Sequence, residues 1–221
     1  MKNHFYINCS KCKKFGLEFR SKHNITPLDF IEGDIKSDIW IIGLNPKNKV
    51  GYIEDRNKKD FQIFNPNRHP YFKSFKKMSK KLYENWESKN NYIAHTDLVK
   101  CFSNSFPPKI KNNSGKKSER INNIVENCFE ILKKQIYEGK PKLIICNGSP
   151  VSKIMIENFP PKQNNIDEEV LTSYKTEIII NNVKHNIWIV LSGFIGRIDD
   201  RNKRRLGIEI EEILKKEKIC I

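Results

Sequence analysis

No apolar run in the sequence approaches the roughly 20 residues a helix needs to cross a bilayer, which argues for a soluble globular protein. The opening MKNHFYINCSKCKKFG lacks the apolar centre of a secretion signal, so a cytoplasmic protein with reduced thiols is expected. There is no internal repeat and no convincing linker, and the 10 glycines and 10 prolines are scattered; one domain over residues 1–221 is expected, large enough to bury a proper core. Acidic side chains are in short supply. Asp+Glu total 26 against Lys+Arg 41, a formal net charge of +15, which favours a polyanionic partner and nucleic acid first. A coding bias toward Lys, Asn and Ile would raise the charge without any binding role, but arginines cluster too, at Arg197, Arg201, Arg204 and Arg205. The basic residues do not line one face of an amphipathic helix, so no membrane partner is expected.

What is present alternates between two periodicities. Short isoleucine-rich runs at 38–44 (DIWIIGL), 92–99 and 142–147 (KLIICN) read as buried strands. Between them, 71–86 places Phe72, Phe75, Ser79 and Leu82 on adjoining helical turns. Likewise 118–137 repeats apolar residues at Ile121, Ile124, Val125, Cys128, Ile131 and Leu132, with Ser118 as its N-cap. Strands alternating with helices predict an α/β fold with a mostly parallel sheet covered on both faces. Later, 177–180 and 186–191 flank the turn-prone Asn181-Asn182 as a hairpin, and a helix from about 204 to 216 follows. The segments 106–117 and 160–169 are polar, proline-bearing loops, the first strongly basic.

Cys9 and Cys12, one turn apart, can reach a common metal centre; Cys101 at a strand end and Cys128 in the following helix could converge on the same point. In a reducing compartment four thiols suit a metal better than disulfides. Cys101 and Cys128 equally suit small core residues, and spacing alone does not choose. Cys146 reads as core and Cys220 as incidental.

The order of motifs resembles the iron–sulfur (family four) branch of the uracil-DNA glycosylase superfamily. The resemblance rests on Cys9/Cys12, then Gly43-Leu44-Asn45-Pro46, then Thr96-Asp97-Leu98-Val99-Lys100-Cys101, then Cys128, then Pro141-Lys142-Leu143-Ile144-Ile145-Cys146-Asn147-Gly148. Each motif is weak singly, but five in the family's order span nearly the whole chain. The resemblance implies a three-layer α/β/α sandwich with a central four-stranded, mostly parallel sheet. It also implies an N-terminal ligand segment over 1–20 and a [4Fe–4S] cluster held by Cys9, Cys12, Cys101 and Cys128, with structural zinc as the fallback. It implies DNA as the partner of a monomer, and base excision after the nucleotide is flipped out of the stack.

In that family the loop after the first strand positions the attacking water. Asn45 occupies the place here, and Gly43, Leu44 and Pro46 frame it; an Asn-Pro turn with no chemistry is the alternative. Asp97 stands where the family has an Asn that reads uracil. An ionised carboxylate only accepts hydrogen bonds, so it opposes O4 of uracil and suits the exocyclic amine of a cytosine. Since ordinary cytosine cannot be the target, a modified cytosine such as a glucosylated hydroxymethylcytosine of phage DNA is expected, in an antiphage role. A strand-end Asp pairing with Lys100 is the alternative. Tyr71 or Phe72 corresponds to the aromatic that stacks on the flipped base, with Phe72 better suited to a core. The family's second motif, His-Pro-Ser, is absent: 190–197 reads VLSGFIGR. There Ser192 lines the substrate side, Phe194 or Ile195 could wedge into DNA, and Arg197, Arg201, Lys203, Arg204 and Arg205 could grip phosphates. His95, just before Thr96, could stand in for the missing histidine; a structural histidine on a strand is the alternative. Uracil excision in repair, a catalytically inactive DNA-binding or damage-sensing module, and an RNA-binding protein are the rival readings.

Overall fold

In the computed structural model, described over residues 9–46, 56–62, 72–87, 92–103, 105–108, 116–162 and 172–219, the predicted apolar runs form strands. These are β1 (Ile39–Gly43), β2 (Ile93–Asp97), β3 (Leu143–Cys146), β4 (Ser173–Ile180) and β5 (Val183–Val190). The sheet order is β2-β1-β3-β5-β4. The first four of these neighbours are parallel, and β4 pairs antiparallel to β5 at the edge. The α/β class is as expected, but the sheet has five strands, not four. The hairpin's first strand joins the sheet because Asn181 and Asn182, at φ of 50° and 63°, close a two-residue turn that keeps β4 in register with β5.

Helices α1 (Lys58–Gln62), α2 (Lys73–Met78), α3 (Lys80–Glu87), α4 (Lys117–Gly139), α5 (Ser149–Asn158) and α6 (Asp200–Lys216) complete the order. Strand alternation sends successive side chains to opposite faces. Trp40, Ile42, Ala94, Ile144 and Cys146 pack with Leu132, Ile136 and Met155 of α4 and α5. Ile39, Ile41, Ile93, Leu143 and Ile145 pack with Phe75, Leu82, Leu206 and Ile210 of α2, α3 and α6. The sheet is thus the middle of three layers.

Three helix expectations need correction. The single helix over 71–86 is two, broken at Ser79, whose φ of −144° and ψ of 115° are extended. Ser79 is not part of an apolar stripe: its Oγ donates to Glu211 at 2.7 Å and accepts from Leu82 N at 3.2 Å, starting α3 as a cap would. Helix α4 begins at Lys117 after Lys116, with no side-chain cap, so Ser118 lies inside its first turn. Helix α6 begins at Asp200, capped by Asp199, rather than at about 204.

Candidate active site

Parallel strands carry their carboxyl ends to one edge, and a ligand crevice forms there where strand order reverses. The chain leaves β1 for β2 on one side while β3 lies on the other, so that reversal occurs at β1. The loop after β1 is stitched to the one after β2 by Leu98 N to Gly43 O (2.8 Å) and Val99 N to Leu44 O (2.9 Å). Asn147 N reaches Ile42 O at 2.8 Å, and Gly148 N reaches Ser192 O at 3.1 Å, which brings in the loops after β3 and β5.

Asn45 is half-buried at this edge. Its Nδ2 donates to Ser103 O at 3.1 Å and to Pro46 O at 3.2 Å. Two carbonyls can only accept, so they fix which end of the amide is nitrogen and leave Oδ1 as the atom that can accept from a water. Leu44 is half-buried against the core, and Pro46 is buried, its carbonyl also taking Ser103 N at 3.2 Å.

Asp97, 3% exposed, projects from the end of β2 across Gly43. A Cβ at Gly43 would lie 2.2 Å from Asp97 Oδ1 and 3.4 Å from His95 Nε2, so only glycine leaves room for both. His95 sits two residues earlier on the same face, 1% exposed, with Nε2 4.0 Å from Asp97 Oδ1. Its Nδ1 is 2.9 Å from Glu32 Oε2, and the edge of Phe72 packs on its ring at 4.9 Å between centres. Phe72 itself is core, 0% exposed. Tyr71 and the loop 109–115 lie outside the described residues.

Lys100 does not pair with the Asp97 carboxylate. Its Nζ donates to the Asp97 backbone carbonyl, to Thr96 Oγ1 at 2.6 Å and to Gln135 Oε1 at 2.7 Å, on the opposite face of the sheet. Burial pulls its ammonium down to about 7, against the opposing pull of Asp97 and Cys128. Glu32 and Arg56 were not legible as site residues: Glu32 is 63 positions from His95, in a loop with no motif of its own.

Residues 30–192 match the family model described as Uracil DNA glycosylase superfamily. The chain belongs to that superfamily. No curated protein matches it. Membership supports DNA glycosylase activity, the hydrolysis of a bond between base and sugar, with DNA as the partner. The match runs from the loop before β1 to the end of β5 and leaves Cys9, Cys12 and α6 outside. No helix among the described residues is long and apolar enough to cross a membrane.

In this glycosylase-superfamily chain the loop after β5 separates the two candidate wedges. Ile195 is 1% exposed within the core and donates its N–H to Asn147 Oδ1 at 2.8 Å, so it anchors the loop and cannot be the wedge. Phe194 is 39% exposed at the tip, with the Arg197 guanidinium 5.9 Å from its ring centre. Ser192 is half-buried and its hydroxyl donates to Gly193 O at 2.7 Å. Arg197, Arg201, Arg204 and Arg205 are exposed. Lys203 is not available to a phosphate: it is 7% exposed and pairs with Asp200 at 3.1 Å. Helical periodicity turns every third or fourth residue inward, and position 203 falls on the stripe with Leu206, Gly207 and Ile210.

Cys9, Cys12, Cys101 and Cys128 are all buried on the same side of the sheet. Their thiols act on one another. A hydrogen bond from Cys128 pulls Cys12 down to about 7, aided by the Asn127 amide at 3.4 Å from its sulfur. Cys128 is pushed up, first by that same bond and then by burial and Cys101. Cys101 is pushed up by burial, then by Cys12 and Cys9. Such a set suits a thiolate-binding group, since metal ligation would replace this mutual penalty with bonds to a cation. Among the described residues, no three His, Cys, Asp or Glu side chains are gathered around the point a single ion would occupy. Four thiolates on one zinc stand about 3.8 Å apart, from tetrahedral bonds of about 2.3 Å. Cys146 is separate and fully buried in strand β3.

Proposed function

We propose that this protein is a monofunctional DNA glycosylase that removes a modified cytosine, such as glucosylated 5-hydroxymethylcytosine, and so acts against phage DNA. The observation that carries the reading is the Asp97 carboxylate lying across Gly43, one strand from the Asn45 amide. A base extruded into this edge meets an acceptor where a uracil reader would need a donor, and an exocyclic amine satisfies it. Leaving such a pair unmatched costs about 1–3 kcal/mol, and sites built on hydrogen bonds discriminate by more.

In this reading Asn45 Oδ1 accepts a hydrogen from the attacking water. An amide orients water but is a poor base, so turnover is slow and depends on a sugar cation that is already largely dissociated. Phe194 fills the gap left by the extruded base, while Arg197, Arg201, Arg204 and Arg205 hold phosphates. Cys9, Cys12, Cys101 and Cys128 would hold a [4Fe–4S] cluster. Four buried thiols that act on one another suit a thiolate-ligated group, and the resemblance to the iron–sulfur branch puts the cluster ahead of a lone zinc ion. Such a cluster would tie the N-terminal segment to β2 and α4.

The deciding experiment incubates the protein with duplexes containing uracil, cytosine or glucosylated 5-hydroxymethylcytosine and identifies released bases by mass spectrometry. Release from the modified duplex alone is expected, with loss in Asn45→Ala and Asp97→Ala. Release of uracil alone would replace this reading with repair of deaminated cytosine. No release from any duplex, despite salt-sensitive binding, would leave a DNA-binding module. Broad visible absorbance that disappears in Cys12→Ser is expected for the cluster, and a colourless protein containing zinc would refute it.

A further inference from the structure

Glu32 belongs to no motif, yet it is 3% exposed and is built into the site from two directions. Its main chain forms an isolated antiparallel bridge with His95, Glu32 N to His95 O at 2.7 Å and His95 N to Glu32 O at 2.8 Å. Its side chain divides its oxygens: Oε2 meets His95 Nδ1 at 2.9 Å, and Oε1 meets Arg56 Nη1 at 2.7 Å. Arg56 is held in turn by Asp60 O and lies over the Phe61 ring at 3.9 Å.

The guanidinium is a fixed cation, so the Glu32 partner it holds is a carboxylate, and a carboxylate can only accept. His95 Nδ1 therefore carries a hydrogen. That leaves Nε2 facing Asp97 Oδ1 across 4.0 Å, with the ring kept from turning by the Phe72 edge. Both side chains are buried, 1% and 3% exposed, so a proton passed between them is shielded from bulk water. Such contacts are commonly long before substrate closes the site.

We propose that Glu32, backed by Arg56, is a positioning residue: it fixes the Nδ1–H form of His95, so that Nε2 holds the one proton of the His95–Asp97 pair, and Asp97 stays an acceptor for the exocyclic amine until that proton passes to the base. The proposal rests on Asp97 being the residue that meets that base. As the C1′–N1 bond breaks, its electron pair passes to the base, and the proton of the pair moves to N3, so the base departs neutral. Water oriented by Asn45 adds its oxygen to C1′ and releases a proton that restores the pair. The sum is DNA plus water giving free base and an abasic sugar. The pair thereby does the work of the absent motif histidine through residues on a different strand.

The test is Glu32→Gln. Arg56 would hold the new amide's oxygen, leaving its NH2 to face Nδ1. The ring is then held in the Nε2–H form with Nδ1 bare, and passing that hydrogen to the base would leave an imidazolate, so the pair has no proton to give. On glucosylated 5-hydroxymethylcytosine duplexes kcat should fall about 100-fold, the lower end for loss of a general acid, with KM within about twofold. Imidazole ¹⁵N NMR should show His95 Nδ1 bearing hydrogen in the wild type and bare in Glu32→Gln, and thermal melting should show the variant folded. Wild-type kcat in folded Glu32→Gln overturns the proposal; so does a bare Nδ1 in the wild type, which decides even if the variant does not fold. Full activity in Glu32→Gln with loss in Asp97→Asn sinks this inference alone. No base release by the wild type sinks the reading of the site, and the wild-type spectrum still judges Glu32.

Discussion

Replacing Gly43 by alanine should couple energetically to Asp97, and a double-mutant cycle can measure by how much. The added Cβ would lie 2.2 Å from Asp97 Oδ1, so the carboxylate has to retreat by roughly 1 Å to reach ordinary van der Waals separation. It has only two torsions with which to do so, and His95 closes one side, the Cβ being 3.4 Å from Nε2. Overpacking of this kind costs about 1–3 kcal/mol. With Asp97→Ala in the background the obstruction is gone. The same change should then be neutral or stabilise by about 0.5–1 kcal/mol, as alanine does relative to glycine within a strand. Urea unfolding midpoints of the wild type, both single variants and the double variant give a coupling expected at about 1–4 kcal/mol, the cost in the wild type plus any gain in the Asp97→Ala background. Base release by Gly43→Ala should fall about 100-fold, the usual consequence of a 1 Å misplacement. Equal destabilisation by Gly43→Ala in both backgrounds would refute the claim that the Asp97 carboxylate covers this backbone.

Gly207→Ala places a Cβ 1.8 Å from the carbonyl oxygen of Met78, a backbone atom that cannot rotate aside; α6 must lift from α2, and the urea midpoint should drop by about 2–3 kcal/mol of stability. Arg204→Ala with Arg205→Ala should reduce the slope of log affinity for DNA against log salt by about 0.9 for each phosphate that is no longer neutralised. Lys203→Ala should leave that slope unchanged while lowering the melting temperature, since its partner is Asp200. In acid, hydrogen bonds from Lys77 and Lys203 hold Asp200 below the usual carboxylate range, and the Asn202 N–H does the same for Asp199. Their folded pKa values are thus depressed: the contribution is complete above the unfolded value of about 3.9 and is lost as pH falls through the folded one. Melting temperatures of Asp200→Asn should accordingly fall less than wild type below about pH 4, and an identical decline in both would refute the assignment.

The first three strands, β1, β2 and β3, were legible because apolar runs bounded by Asn-Pro, polar loops and Asn-Gly are short and buried, as the positions of Ile39, Ile93 and Leu143 show. The break at Ser79 was not, because serine fits a helical stripe as readily as it caps one, and the choice depends on Glu211 from a helix 132 positions away. Lys203 escapes sequence reasoning for a related reason. Arg201, Arg204 and Arg205 read with it as one basic patch, and only the direction in which α6 presents its apolar stripe shows which cation turns inward.

The sequence by itself determined the α/β rhythm, the two loop motifs around Asn45 and Asp97 and the superfamily, since these depend on local periodicity and on motif order. Tertiary structure alone decided that Asp97 lies across Gly43, that Ile195 is an anchor while Phe194 is exposed, and that Glu32 and Arg56 stand behind His95. The physical reason is that hydrogen bonds and ion pairs between distant segments depend on where folded backbones cross. A buried carboxylate such as Glu32 leaves no periodic trace along the chain that would announce its partner.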